Sequence, residues 1–112
     1  MFNNLQTTVK FSSVDPPLSR PGTWAYPDML EVGNLASHAE DRAHFAAWCI
    51  ISAPLVLGFD LTNSDTMDRV WDIIANPESI AVSQTWAVCI CMDVLTFALK
   101  SSQHLLARSL AL

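Results

Sequence analysis

The chain has 112 residues, a length that suits one small domain. Hydrophobic residues make up 51% of the sequence and charged residues 15%, a composition that argues against intrinsic disorder. Eleven acidic residues against six basic ones give a net charge of −5, and the basic residues form no cluster that could neutralise phosphate groups. We therefore expect neither nucleic acid nor an anionic membrane as a partner.

Three cysteines, Cys49, Cys89 and Cys91, are present. Their odd number argues against a disulfide scaffold, and the Cys-x-Cys pair lacks the further ligands and spacing of a zinc site. We interpret all three as buried or partly buried thiols, and we predict no metal and no cofactor. The N-terminal sequence MFNNLQTTVKF has no basic stretch followed by an apolar run, so no signal peptide is predicted.

The first part of the chain offers two short candidate strands. Residues 1–19 are polar and mixed, and within them residues 7–11 have the composition of a strand. A Pro-Pro pair ends this segment. Residues 29–32 are the second candidate strand, because they are largely apolar and a Gly-Asn pair follows them.

The first predicted helix begins at Ser37, whose side chain suits the free N–H groups of a first turn. Glu40 follows three residues later and completes the pattern of a capping box. The helix is predicted to run to about Ser52, and Pro54 stops it. The apolar run at residues 55–59 lacks alternation, which is typical of a strand covered on both faces of a parallel sheet.

A second helix is predicted from Ser64. Its inner face is assigned to four apolar residues at helical spacing: Met67, Val70, Trp71 and Ile74. Asp65 and Arg69 are spaced for an ion pair on the outer face of the same helix. Pro77 follows and is predicted to open a further short helix.

The order of these elements is strand, helix, strand, helix, which is the signature of a parallel α/β fold. Two such units are present, whereas a closed (β/α)8 barrel needs eight in about 250 residues. Residues 86–99 are apolar but interrupted by Asp93, and they fall short of the ~20 residues that cross a bilayer. A membrane span is therefore not favoured, and we expect the tail to pack on the rest of the chain or to form an appendage.

Three stretches of the sequence together resemble the α-galactosidases of glycoside hydrolase family 27. They are PGTWAYPDMLEVGN, HAEDRAHFAAWCIISAPLVLGFDL and NPESIAVSQ. In the same order, the family carries Pro-Gly-x-Trp-Asn-Asp-Pro-Asp-Met-Leu-x-x-Gly-Asn, a helix with a His-Phe-x-x-Trp core, Ala-Pro-Leu-x-x-Gly-x-Asp-Leu, and Asn-Lys-Glu-x-Ile-Ala-Val-Asn-Gln. The resemblance covers residues 20–84 and corresponds to the last third of the catalytic barrel.

The resemblance implies an α/β chain that forms the last two βα units of a TIM (β/α)8 barrel, which is incomplete here. Residues 20–85 would be the partial barrel, residues 1–19 a divergent N-terminal segment and residues 86–112 a divergent, non-homologous apolar tail. Enzymes of this family remove terminal α-linked galactose with retention, using two carboxylates ~5 Å apart at the C-terminal rim of the barrel strands. Relatives are usually secreted or lysosomal/vacuolar, and the compartment of this chain is left open.

The resemblance also assigns two residues to substrate binding. Asp28 matches the aspartate that binds sugar hydroxyls, and Met29 matches the methionine that lines the sugar pocket, so the implied substrate is a galactoside. A carboxylate suits its task because it accepts two charge-assisted hydrogen bonds from neighbouring hydroxyls. Ala25 and Tyr26 depart from the family's Asn-Asp pair, which removes a carboxylate and an amide from this loop.

No catalytic residue is assigned to this chain. The family's nucleophile lies in a Lys-x-Asp motif and its acid/base in a Trp-Arg-x-x-x-Asp motif, and neither motif occurs in the 112 residues. We therefore expect a truncated α-galactosidase-like chain that is inactive alone. Two alternatives stay open: an interaction module that self-associates through exposed apolar surface, and a membrane-associated peptide that uses residues 86–112.

The remaining prominent side chains receive structural interpretations. Asp60, which follows the last candidate strand, either faces the barrel site or braces the next loop. Surface positions are predicted for His38 and His44, and core positions for Trp48 and Trp71. Trp24 could stack on a sugar ring, although packing within its loop is the favoured interpretation.

Overall fold

The structure, a computed structural model, describes residues 2–12, 14, 16 and 18–85. Four helices occur in this part of the chain: α1 (Phe2–Ser12), α2 (His38–Ile50), α3 (Ser64–Ile74) and α4 (Pro77–Gln84). The predictions made for Cys89, Cys91 and the apolar tail lie outside the described residues. None of the four helices is long and apolar enough to span a bilayer.

The strand predicted at residues 7–11 is wrong, because these residues lie within α1. Leu5 and Thr8, three positions apart, are both buried on one side of this helix. The hydroxyls of Thr7 and Thr8 donate to the carbonyls of the residues four positions earlier, each at 3.0 Å. Threonine is enriched in strands, but this preference depends on context, and here the packing of Leu5 and Thr8 against the rest of the chain accompanies a helix.

The two other predicted strands are reduced to a single parallel bridge between Leu30 and Leu57. Leu30 donates its N–H to the Val56 carbonyl at 2.8 Å and accepts from the Gly58 N–H at 3.1 Å. Among the described residues no third segment extends this ladder, so neither residues 29–32 nor residues 55–59 form a strand. The described part is therefore mostly helical, and it does not confirm two complete βα units.

The connection between these extended segments runs through α2, which packs against both α3 and α4. One face of α2 enters the core. The core consists of Phe45, Trp48 and Cys49 from α2 with Leu5, Leu30, Val32, Ile51, Ala53, Val70 and Ile73. The extended pair, α2 and α3 thus share one hydrophobic interior.

The first turn of α2 is capped largely as predicted. Ser37 accepts from the Glu40 N–H at 3.2 Å, but the Glu40 carboxylate accepts from the N–H of Ala36 at 3.1 Å instead of from Ser37. The helix ends at Ile50, slightly before the predicted end. Ser52 has φ +53°, and this left-handed residue turns the chain before the proline.

Helices α3 and α4 begin where predicted, each on an asparagine cap. Asn63 accepts from the Thr66 N–H, and Asn76 accepts from the Ser79 N–H, both at 3.0 Å. The predicted inner face of α3 is partly wrong, because the Trp71 side chain is 58% exposed. The buried residues of α3 are Val70 and Ile73.

Candidate functional site

Asp28 lies in the loop that leads into the Leu30 segment, with its side chain exposed. Its backbone has φ +92°, a left-handed conformation that residues other than glycine adopt at a cost of about 1–2 kcal/mol. Aspartate tolerates this region better than most residues, because its side chain hydrogen-bonds locally. Here Asp28 Oδ1 accepts from the Met29 N–H at 2.8 Å.

Trp48 of α2 binds the backbone of this turn from the core side. Its indole N–H donates to the Asp28 carbonyl at 2.9 Å, and the side chain is only 1% exposed. The predicted core position of Trp48 is therefore confirmed. Sequence reasoning missed the contact to Asp28, since the only signal in the sequence is a tryptophan on an apolar helix face.

Met29 lies across the backbone of the neighbouring extended segment. A Cβ placed on Gly58 would stand 2.9 Å from the Met29 sulfur and 2.6 Å from the Leu30 carbonyl oxygen. Glycine at position 58 is thus what lets the two segments approach and leaves room for the methionine. The Met29 side chain remains half exposed and accessible to a ligand.

A groove of about 410 Å³ opens beside Asp28, between α1 and the loop before the extended segment. It is lined by Asn4, Thr7, Thr8, Phe11, Tyr26, Pro27 and Asp28. Because the two threonine hydroxyls donate to helix carbonyls, their lone pairs remain available to accept hydrogen bonds from a ligand. Amide, hydroxyl and aromatic groups in one groove suit a polar ring-shaped ligand. Met29 does not line this groove, so the structure brings only Asp28 of the two predicted site residues to it. A larger cleft of about 460 Å³ between α2, α3 and α4 contains neither residue.

A buried ion pair fixes the turn that follows these residues. Asp41 in α2 is fully buried, and its carboxylate accepts from the Gly33 N–H and from Arg69 Nη1, both at 2.8 Å. Arg69 Nη2 also donates to the Gly33 carbonyl. Arg69 therefore binds across to α2 in place of the predicted pairing with Asp65. Asp41 carries no sequence signal beyond its position in a first helical turn.

His44 is buried with 2% exposure, so its predicted surface position is wrong. Its Nε2 accepts from the Glu31 N–H at 3.0 Å, which requires a neutral ring with the proton on Nδ1. Burial lowers the pKa of His44 below 6.5, and the nearby charge of Glu31 opposes this only in part. The ring centroid lies 3.9 Å from that of Trp48, one helical turn away.

The other candidate residues take no part in this arrangement. Asp60 accepts from both the N–H and the hydroxyl of Thr62, which braces the loop and lowers the pKa of Asp60. His38 lies at the surface as predicted, 3.2 Å from Asp72. Trp24 is 38% exposed, so the packed position favoured for it is not confirmed. Within the residues that the structure describes, no group of three or more potential metal ligands occurs.

Comparisons with known proteins agree with the sequence motifs. The family model for α-galactosidase A matches residues 4–85. The chain is 44% identical over 64 residues to α-galactosidase A of Cellvibrio japonicus, covering 57% of the chain and 15% of that protein. It is 46% identical over 68 residues to α-galactosidase 2 of Arabidopsis thaliana, covering 59% and 16%. It is 39% identical over 77 residues to α-N-acetylgalactosaminidase of Rattus norvegicus, covering 68% and 18%.

No solved structure gives a significant match to the chain. The matched region is thus a small part of each relative, between 15% and 18% of its length in these three cases. Yet the family model spans most of this sequence, including the loop with Asp28 and the helices α2 to α4. The resemblance to α-galactosidases is thereby confirmed, and the chain belongs to the melibiase (α-galactosidase A) family.

Proposed function

We propose that this chain is the sugar-contacting part of an α-galactosidase-like glycosidase, with Asp28 and Met29 as its substrate-binding residues. The observation that carries the proposal is the Asp28 turn, where a left-handed backbone presents an exposed carboxylate beside a half-exposed methionine. Asp28 Oδ1 already accepts from the Met29 N–H. Asp28 Oδ2 is therefore the oxygen best placed to accept from a sugar hydroxyl.

The proposed architecture is two neighbouring βα units of a TIM barrel. The parallel bridge between Leu30 and Leu57, joined through the intervening helix α2, supports this interpretation, because parallel strands require such a crossover. Pairing with further segments would lengthen the single bridge into a ladder. The family model begins at residue 4, so only residues 86–112 are proposed to diverge from the barrel.

The proposed substrate class is a terminal α-linked galactosyl group. The named relatives include α-galactosidases and α-N-acetylgalactosaminidases, so an N-acetylgalactosaminyl group is the nearest variant to test. Hydroxyl and amide groups of the groove can bind sugar hydroxyls, while Tyr26 and Phe11 offer apolar ring faces.

Bond cleavage by retention requires two carboxylates ~5 Å apart. Asp28 is the one acidic residue that lines its groove among the described residues. We therefore propose that the 112-residue chain binds galactose weakly and does not hydrolyse galactosides by itself. A working enzyme of this kind needs both the nucleophile and the proton donor from other parts of a barrel.

Galactose binding is tested by titrating the ¹⁵N-labelled chain with galactose and following the amide signals of Asp28 and Met29. Glucose, which differs only at one hydroxyl, serves as the ligand control. Asp28→Asn should weaken the response to galactose, whereas Asp60→Asn should not, because the Asp60 carboxylate binds its own loop. Equal responses to both sugars, or an unchanged response in Asp28→Asn, would contradict the binding role.

Turnover is measured separately, with 4-nitrophenyl α-galactoside and the purified chain. We expect no release of nitrophenol above a buffer control. Release that is lost in Asp28→Asn would show that the chain carries a complete catalytic site, and the proposed dependence on other barrel segments would then be wrong.

Exposed apolar side chains support self-association as a second candidate. Val56, in the extended pair, is 53% exposed, and Trp71 on α3 is 58% exposed. Burial of such side chains is the main driving force of association. Sedimentation velocity should show a dimer or larger species whose dissociation increases in Trp71→Lys, and a monomer at all concentrations would exclude this candidate.

A further inference from the structure

We infer that Trp48 is a positioning residue for sugar binding: its indole N–H holds the Asp28 turn in the left-handed conformation that presents the carboxylate. This inference rests on the proposed role of Asp28. Trp48 does not line the groove, so it acts on a ligand only through the backbone of Asp28.

Helix α2 holds this loop at two points, one helical turn apart. Trp48 donates to the Asp28 carbonyl at 2.9 Å, and His44 Nε2 accepts from the Glu31 N–H at 3.0 Å. The two hydrogen bonds thus lie on either side of Leu30, which is itself fully buried. Side chains at positions i and i+4 share one helix face, so His44 and Trp48 together fix the position of the loop relative to α2.

The orientation of the indole is itself fixed. The ring is 1% exposed, and its neighbour on the helix is the His44 ring, with centroids 3.9 Å apart. A side chain packed in this way cannot rotate its indole N–H to a different acceptor without opening the core. The Asp28 carbonyl is therefore held at a fixed position relative to α2.

The energetic role follows from the backbone of Asp28. A left-handed residue other than glycine is strained, and such strain persists only where the surroundings determine the conformation. The stabilisation from one buried hydrogen bond is similar in size to this strain. Without the indole donor, the peptide at Asp28 is expected to relax and to turn the carboxylate away from the groove.

The sharpest test replaces Trp48 with 3-benzothienylalanine, which keeps the size and shape of the indole but has sulfur in place of the N–H. The variant Trp48→Phe serves as a second, genetically encoded form. Phe45→Leu is the matched control, since Phe45 is a similarly buried residue of α2 whose side chain has no hydrogen-bond donor. All variants are compared at a temperature where their NMR spectra show a folded chain.

Two readouts separate positioning from general stability. The first is the intraresidue nuclear Overhauser effect between the amide and Hα protons of Asp28, which is strong when φ is positive. It should be strong in the wild type and in Phe45→Leu, and weak in the benzothienyl variant. The second is the galactose dissociation constant, which should rise about two- to tenfold in the benzothienyl variant and stay unchanged in Phe45→Leu.

The outcomes also separate the two hypotheses. A wild-type chain with the strong nuclear Overhauser effect at Asp28 but no response to galactose would refute the sugar-binding role of Asp28. The nuclear Overhauser effect of the benzothienyl variant would then still show whether Trp48 fixes the Asp28 backbone. A benzothienyl variant that keeps the strong signal, or that binds galactose as tightly as the wild type, would refute the positioning role of Trp48.

Discussion

Arg69→Met tests how strongly the contact between α3 and the buried Asp41 carboxylate stabilises the fold. Methionine keeps the length and the apolar stem of arginine but removes the guanidinium group. The variant therefore leaves Asp41 with only the Gly33 N–H as a partner among the described residues. A buried charge that loses its partner destabilises the folded state.

The magnitude follows from the exposure of the two side chains. Asp41 is 0% exposed and Arg69 38%. Exposed ion pairs contribute up to about 1 kcal/mol, whereas breaking a buried pair from one side costs about 3–5 kcal/mol. Because water reaches the arginine but not the carboxylate, we expect an intermediate loss of about 2–3 kcal/mol in the free energy of unfolding.

The assay is urea unfolding followed by tryptophan fluorescence. For a small domain, a loss of this size moves the urea midpoint by about 1–2 M. Arg42→Met is the matched control, because Arg42 is an exposed arginine of α2 and should change stability by less than about 0.5 kcal/mol. The double variant Asp41→Leu/Arg69→Met should lose less than the sum of the two single variants.

Equal urea midpoints for Arg69→Met and Arg42→Met would refute the reasoning. Such a result would mean that water or another donor satisfies Asp41 once the guanidinium group is gone. A strictly additive double variant would likewise show that the two side chains do not stabilise each other.

Three further predictions concern other parts of the core. Burial lowers the pKa of His44 below the 6.5 of an unfolded histidine. Its contribution to stability is therefore complete above pH 6.5 and is lost as the pH falls from there through the folded-state pKa. When urea unfolding is measured at decreasing pH, the urea midpoint should fall less in His44→Gln than in the wild type. Gly58→Ala should lower the free energy of unfolding by about 3 kcal/mol, because the new Cβ would stand 2.6 Å from the Leu30 carbonyl oxygen. Gly22→Ala, where the Cβ would enter open space, should lower it by only the ~1 kcal/mol of a left-handed alanine. Equal thermal midpoints for the two variants would contradict this prediction. Burial raises the pKa of Cys49 to about 11, so little of the reactive thiolate is present at neutral pH. In a variant whose other two cysteines are changed to serine, a thiol reagent should label Cys49 only after urea is added. Rapid labelling of the folded chain would contradict this prediction.

The helices that sequence reasoning placed correctly begin with a local signal. Ser37, Asn63 and Asn76 each cap the helix that follows, and a contact across three residues is visible in the sequence. Helix α1 has no such cap signal, and its Thr-Thr-Val run favours a strand when read without tertiary contacts. In proteins most helical stability comes from tertiary packing, and Leu5 of α1 is buried.

The sequence predicts which residues form the candidate site, but it does not predict their backbone conformation or their hydrogen bonds. The family resemblance points to Asp28, but its positive φ and the hydrogen bond between its carbonyl and Trp48, 20 positions away, are visible only in the structure. Arg69 reaches a partner 28 positions away in preference to one on its own helix. His44 is buried and accepts from a peptide N–H 13 positions earlier in the chain. Such pairings depend on how the elements pack, and no periodicity or spacing in the chain encodes them.

The single bridge between the extended segments also bears on the order in which the structure forms. Its two hydrogen bonds close a loop that contains the whole of α2, whereas every helix cap joins residues within one turn. Closing a long loop for so few contacts is slow, because the chain entropy is lost before the contacts are gained. Because Leu30 is fully buried, its amide proton should exchange with solvent deuterium only when the interior opens, which makes this position a reporter of unfolding.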